Sequence, residues 1–180
     1  MPTDHTLLIR PLDPSDASEY RALMLEGYEL AFDAFTSTAA ERAAKPLAWW
    51  ENRAHDPKGL GQAFGAFHDG ALVGTVAIEY SARTKTRHKA LVIGMYVSPT
   101  ARGLGAGKAL LQAAIEHARA RPEVKVMTLT VTHGNAAATR LYESAGFQAF
   151  GLERMALFNG TEYMDKLHMQ LMLRATPTDE

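Results

Sequence analysis

The sequence predicts an α+β domain built on a mixed sheet of six or seven strands, and three observations carry that reading. Short apolar stretches are bounded by Gly-containing turns, as in the pair 63–68 and 72–78 around Asp69-Gly70. One segment has a clear helical stripe, with Leu110, Leu111, Ala114, Ile115 and Ala118 on one side. The order of elements is helices first, then a meander, a strand-loop-helix-strand crossover and a closing hairpin.

Size and composition fit this. The chain has 180 residues, 47% hydrophobic and 22% charged, so disordered and fibrous classes are excluded and one domain over 1–175 is expected, followed by a frayed tail at 176–180. Nineteen Lys and Arg oppose 20 Asp and Glu. That near-neutrality argues against a broad nucleic-acid surface. No cysteine is present, which removes disulfides, thiolate metal sites and an acyl-cysteine intermediate. The polar start Met1 to Thr6 lacks a signal-peptide core, and no apolar run approaches the ~18 residues that cross a bilayer. A cytoplasmic protein with no membrane partner is expected.

In chain order, Leu7-Leu8-Ile9-Arg10 is a strand ended by Pro11, and Asp13-Pro14-Ser15-Asp16 starts a helix bearing Leu23, Leu30 and Ala31. A second helix is expected from Thr38 to Ala54, with Leu47, Trp49 and Trp50 either in the core or on a cleft wall. Residues 56–61 form a loop. The two hairpin strands follow, then a third strand over Lys89 to Val97 and a Gly-rich loop over Ser98 to Lys108 that opens the striped helix. Lys125 to Thr132 alternates as a strand, and Asn135 to Ala145 is a helix stopped by Gly146. Strands 147–158 and 163–173 close the chain, turning at Asn159-Gly160.

The Gly-rich loop is the most informative segment. Glycines between a strand and a helix let backbone N–H groups approach an anion, and the helix N-terminus adds partial positive charge. Spacing excludes two phosphate loops. A Walker A loop needs Gly at 102 and Ser or Thr at 109, where Arg102 and Ala109 stand. A dinucleotide fingerprint needs Gly at 108 or 110, where Lys108 and Leu110 stand. What remains is Arg102-Gly103-Leu104-Gly105-Ala106-Gly107, an Arg-x-x-Gly-x-Gly run.

This run resembles the acetyl-CoA-binding loop of the GCN5-related N-acetyltransferase (GNAT) family. A second element, Asn135 through Tyr142 to Gly146-Phe147, resembles that family's Asn-x-x-Ala-x-x-x-Tyr-x-x-x-Gly-Phe signature, in the family's order. The resemblance implies an α/β/α sandwich whose sheet is mostly antiparallel, with helices on both faces. It also implies acetyl-CoA as co-substrate, bound by Arg102, Gly103, Leu104, Gly105, Ala106, Gly107 and Lys108. In the family the strand before the loop splays from its neighbour, and its backbone binds pantetheine and the thioester oxygen; here those residues are Met95, Tyr96 and Val97. Asn135 is expected either to bond the pantetheine arm or to hold the helix start. The partners implied are acetyl-CoA and an amine acceptor, and a homodimer is compatible with the sequence.

The reaction sets three needs: the amine must lose a proton, an oxyanion must meet donors, and the leaving thiolate should be protonated. Without cysteine or a Gly-x-Ser-x-Gly elbow, direct attack in a ternary complex is the economical route. Tyr142 stands at the family's acid position, and a phenol of pKa ~10 can serve a thiolate of pKa ~8.5. Many relatives carry a Glu on the splayed strand, yet Lys89 to Val97 has none. Glu79 acting through water, or His88, could take the proton, and either could equally be a surface group. The seven histidines show no ligand spacing, so no metal is expected. Glu26, Glu29 and Asp33, with Tyr28, Phe32 and Phe35, either pack as an amphipathic face or line the acceptor cleft, where they would suit a cationic amine. The alternative function is a non-catalytic acyl-CoA-binding module of the same fold.

Overall fold

The structure, a computed structural model, describes residues 6–174; the tail expected at 176–180 lies outside the described residues. Strands β1 (Leu8–Pro11), β2 (Gly61–His68), β3 (Ala71–Tyr80), β4 (Lys89–Val97), β5 (Val126–Thr132), β6 (Gln148–Phe158) and β7 (Tyr163–Met172) form one sheet in the order β1-β2-β3-β4-β5-β7-β6. Every pairing is antiparallel except β4 with β5. That parallel pair needs a crossover, supplied by the Gly-rich loop and α4 (Ala106–Arg119). The expected α+β architecture, with a mostly antiparallel sheet and helices on both faces, is what the chain forms.

Strand alternation sends successive side chains to opposite faces, and each face is covered differently. On one face Val76, Ile78, Val92, Met127 and Leu129 meet the apolar stripe of α4 and the helix α5 (Ala136–Ser144). On the other, Ala63, Phe67, Ala77 and Tyr96 meet α1 (Ala17–Leu30) and α3 (Leu47–Ala54). Trp50 is fully buried there, its ring edge-on to Tyr20 at 5.6 Å. Among the described residues no helix is long and apolar enough to cross a membrane.

The sequence departs from the structure at one helix. The segment expected to run unbroken from Thr38 to Ala54 is split into α2 (Ala39–Ala43) and α3. Pro46 is the reason: it has no N–H to donate, and its ring disfavours helical backbone at Lys45. Thr38 and Glu41 cap α2 reciprocally, so the break costs the first piece little. The split also resolves the two tryptophans, Trp50 entering the core and Trp49 lining a cleft.

The start of α1 follows its sequence signal with one refinement. Pro14–Asp16 is a single 3-10 turn before the helix, capped by Asp13. Asp16 receives both ends of the Arg10 guanidinium at 2.8 Å, and that bond holds its carboxyl below the usual carboxylate range.

Where α1 crosses β4, Gly27 lies against the ring of Tyr96. A Cβ there would sit 2.9 Å from Tyr96 Cγ, so backbone and ring meet with no room for a methyl group. Helix propensity favours alanine over glycine by ~1 kcal/mol, whereas overpacking costs about 1–3 kcal/mol. Gly27→Ala should therefore destabilise the protein by up to about 2 kcal/mol, read as a lower Tm. A raised Tm would show that α1 and β4 can move apart freely.

Candidate active site

The site begins where the sheet opens. β4 and β5 pair only at Lys89–Val126, Ala90–Met127 and Leu91–Thr128, and then diverge. Near the divergence β4 carries an extra residue against β3, a bulge containing Gly94 at φ +60°. A side chain at 94 would be strained in that conformation, and its Cβ would lie 3.3 Å from Arg53 Nη2. The gap between the strands becomes a cleft of about 360 Å³ that reaches both faces of the sheet.

On the α4/α5 face the cleft is lined by Met95, Asn135, Ala138, Leu141 and Tyr142. Asn135 Oδ1 accepts from Ala138 N–H at 3.2 Å, so it holds the start of α5. Tyr142 is buried at 7% exposure and lines the cleft. Burial pushes its pKa up to about 12.

The Gly-rich loop lies beyond the end of β4. Pro99–Ala101 forms one 3-10 turn, and Gly105, at φ +78°, is the N-cap of α4 with no side-chain cap. The N–H groups from Gly103 to Lys108 meet no acceptor among the described residues, the first bond into the helix being Ala109 N–H to Gly105 O. A Cβ at Gly103 or Gly105 would meet nothing within 4 Å, so open space stands over these donors. Arg102, Leu104 and Lys108 are exposed around them, while Ala106 is buried under the helix start. Consecutive free N–H groups at a helix start, flanked by two cations, fit a pyrophosphate.

Tyr96 and Val97 take different parts. The Tyr96 side chain turns to the α1 face, where its hydroxyl donates to Glu26 at 2.9 Å, and Ser98 Oγ donates to the same carboxylate oxygen at 2.8 Å. Burial, then the neighbouring carboxylate, raises the Tyr96 pKa to about 12. Glu26 therefore ties the end of β4 and the loop's start to α1. Val97 packs with the α4 side, near Gly107 and Leu110.

On the α1/α3 face the lining is Tyr28, Phe35, Thr36, Arg42, Arg53 and Glu79, with Lys166 reaching in from β7. A second cleft of about 580 Å³, bordered by Trp49 and Asn52, shares Arg53, Glu79 and Ile93 with the first. Thr132 Oγ1 donates to Asp33 O at 2.6 Å and Lys166 Nζ to Thr36 Oγ1 at 2.6 Å, which hold the segment after α1 across the opening.

Of the sequence-derived residues, the structure brings Tyr142, Asn135, Met95 and Glu79 to one cleft. His88 is elsewhere. It precedes β4, its carbonyl accepts from Lys125 and Val126, and it lines none of the clefts described. Among the residues expected on an acceptor wall, Tyr28 and Phe35 are there; Glu26 is engaged with Tyr96 and Ser98, and Phe32 and Asp33 border separate pockets by the hairpin end. Arg42, Arg53 and Lys166 had no motif to announce them. Among the described residues no group of three or more His, Asp or Glu could hold a metal ion.

Comparison with known proteins adds three findings. The family model described as "Acetyltransferase (GNAT) family" matches residues 24–147. The chain is 32% identical over 121 residues to L-amino acid N-acetyltransferase AaaT of Escherichia coli, covering 67% of this chain and 73% of that one. It is 37% identical over 93 residues to streptothricin acetyltransferase of Streptomyces lavendulae, a match over 52% of this chain and 47% of that protein. Among solved structures, phosphinothricin acetyltransferase of Sinorhizobium meliloti in complex with acetyl-CoA superposes with a TM-score of 0.82 over 97% of this chain and 92% of the other, at 23% identity, a likeness of fold. A sheet parted at β4 and β5, two signature segments on either side of the gap and a family match from the middle of α1 to Phe147 place this chain in the GNAT acetyltransferase family.

Proposed function

We propose that this protein transfers the acetyl group of acetyl-CoA to a primary amine of a small molecule or peptide, by direct attack within a ternary complex. The observation that carries this is the cleft crossing the sheet, with the Tyr142 phenol on one side and the Glu79 carboxylate on the other. The loop N–H groups of Gly103 to Lys108 take the pyrophosphate, and the free edge of β4 beyond Leu91 takes the pantetheine arm and supplies donors to the thioester oxygen. Acetyl-CoA supplies the activated acyl carbon.

The chain's own residues then order the protons. Glu79 lies on the side from which the amine enters, and through a water it accepts the proton lost as the C–N bond forms. Tyr142 stands where the C–S bond breaks. Its pKa of about 12 means it is always protonated near neutrality, so it always offers a hydrogen bond to the developing thiolate. The same elevation makes it a weaker acid than a free phenol. Its help is then largest in the transition state, where charge gathers on sulfur before any full transfer.

Three measurements test this. Gly105→Val should abolish the rise in Tm that acetyl-CoA gives, because the side chain would occupy the space over the loop donors, with about 1–3 kcal/mol of stability also lost because a β-branched residue is strained at a φ of +78°. An unchanged shift would remove the loop from the site. Tyr142→Phe should lower kcat at least about tenfold, within the ~10²–10⁴ range of general-acid effects, and leave the Kd for acetyl-CoA within a few-fold. Full activity would mean that the thiolate leaves unaided. Glu79→Gln should flatten the acidic limb of the kcat/KM profile, whereas His88→Gln should leave it in place; the reverse result would transfer the role to a residue outside the cleft.

A further inference from the structure

The charges facing the acceptor side are unbalanced. Four charged side chains line the cleft, and Arg42, Arg53 and Lys166 oppose Glu79 alone. Neither arginine takes part in any ion pair among the described residues. In each, Nε is buried with no hydrogen-bond partner. A guanidinium stays charged at any pH of interest, so two partly buried cations stand here with no carboxylate at ion-pair distance, Glu79 acting on Arg53 only through its field. Their surroundings are aromatic: the Trp49 ring lies 4.7 Å from Arg42 Cζ and 5.3 Å from Arg53 Cζ. Cation–π contact offsets part of the desolvation.

We propose that the acceptor amine carries a carboxylate, and that Arg53 and Arg42 hold it while Lys166 adds positive charge from the opposite wall. The proposal rests on the acetyltransferase reading and names the substrate class of that same cleft. Its chemistry is specific. A planar guanidinium matches a carboxylate with two parallel N–H···O bonds, which fixes the orientation of the molecule as well as its affinity. Arg53 and Glu79 border both connected clefts, so a carboxylate held at Arg53 leaves an amine a few bonds away beside Glu79 and the parted strands. A purely cationic acceptor would face three like charges against one carboxylate. The cationic amine suggested by Glu26, Glu29 and Asp33 loses its basis, because Glu26 is already bonded to Tyr96 and Ser98, and Glu29 and Asp33 do not line the cleft.

The test pairs each of several L-amino acids with its own amide, following thiol release from acetyl-CoA. The amide's amine is the less basic of the two, so deprotonation alone favours the amide and the prediction runs against that bias. At neutral pH the carboxylate form should have at least tenfold higher kcat/KM, and Arg53→Gln should shrink that acid-over-amide preference by about tenfold or more, through the acid's KM. Arg53→Lys should restore only part, since an ammonium cannot form the paired contact. The Kd for acetyl-CoA should not move in either variant. Equal use of acid and amide, or an Arg53→Gln variant that loses both alike, overturns the proposal while leaving the acetyltransferase reading intact. If no amine releases thiol, calorimetric titration of the same acid–amide pairs into the protein with CoA decides independently of turnover. Tighter binding of the acid, lost in Arg53→Gln, sustains the anion site; indifference ends it.

Discussion

The feature on which the rest depends is the parting of β4 from β5 after three paired residues. A parallel pair of this length leaves unpaired backbone groups on both strands, a cost that isolated strands do not bear. Two devices hold the strands apart. The bulge at Gly94 turns β4 out of register, and Glu26 anchors the far end of β4 to α1 through Tyr96 and Ser98. The contact of Gly27 with the Tyr96 ring completes that anchor. The opening is therefore held from the α1 side, by Glu26 and Gly27, which contact the residues at the start of the Gly-rich loop.

Because the gap runs through the sheet, its two mouths are lined by the two separate cores, and they differ chemically. The α4/α5 mouth is apolar apart from Asn135 and the Tyr142 hydroxyl, with the free loop donors just beyond it. The α1/α3 mouth is aromatic and cationic. A long anionic co-substrate with an apolar arm suits the first, and an acceptor of opposite character to the arginines suits the second. In the proposed reaction two reactants entering from opposite faces would meet only where the strands separate, which would convert an encounter of two free molecules into a fixed approach.

How much of this could be read beforehand follows from the range of the interactions. Strands 63–68, 72–78, 89–97 and 125–132, the helix after the loop and the closing hairpin were legible because period and turn residues are local signals. The loop and the Asn135–Phe147 segment were legible because their spacing is local too, and Tyr142 and Asn135 do stand in the cleft. The break at Pro46 was legible in principle and was overridden by the apolar content of 47–54. The arginines were not legible. Arg42, Arg53 and Lys166 lie on three different elements, and only the packing of α2 and α3 on α1, and the pairing of β7 with β5, brings them to one opening. His88 and Glu79 looked equivalent as bases because both flank a strand end. Strand direction separates them: Glu79 shares its face with Ala77 and so looks toward α3, while His88 sits at the closed, paired end of β4 and β5.

Burial acts on Tyr142 in two opposed ways. The apolar packing that raises its pKa to about 12 keeps the proton in place, with the ring edge-on to Phe147 at 6.0 Å. It also weakens the phenol as an acid against a thiolate of pKa ~8.5, so complete transfer to a free thiolate would run uphill. The conflict eases when the reaction itself is considered. A sulfur losing its acyl bond inside the same apolar pocket is desolvated as well, and desolvation raises the basicity of a thiolate for the same reason that it raises the pKa of a phenol. Donor and acceptor are then shifted in the same direction, and their difference stays closer to its value in water than either pKa suggests. The depth at which Tyr142 is buried is therefore compatible with the donor role proposed for it only because the leaving group would be buried beside it. That requirement links the proposed acid to the parted strands, the opening through which a thioester would reach that depth.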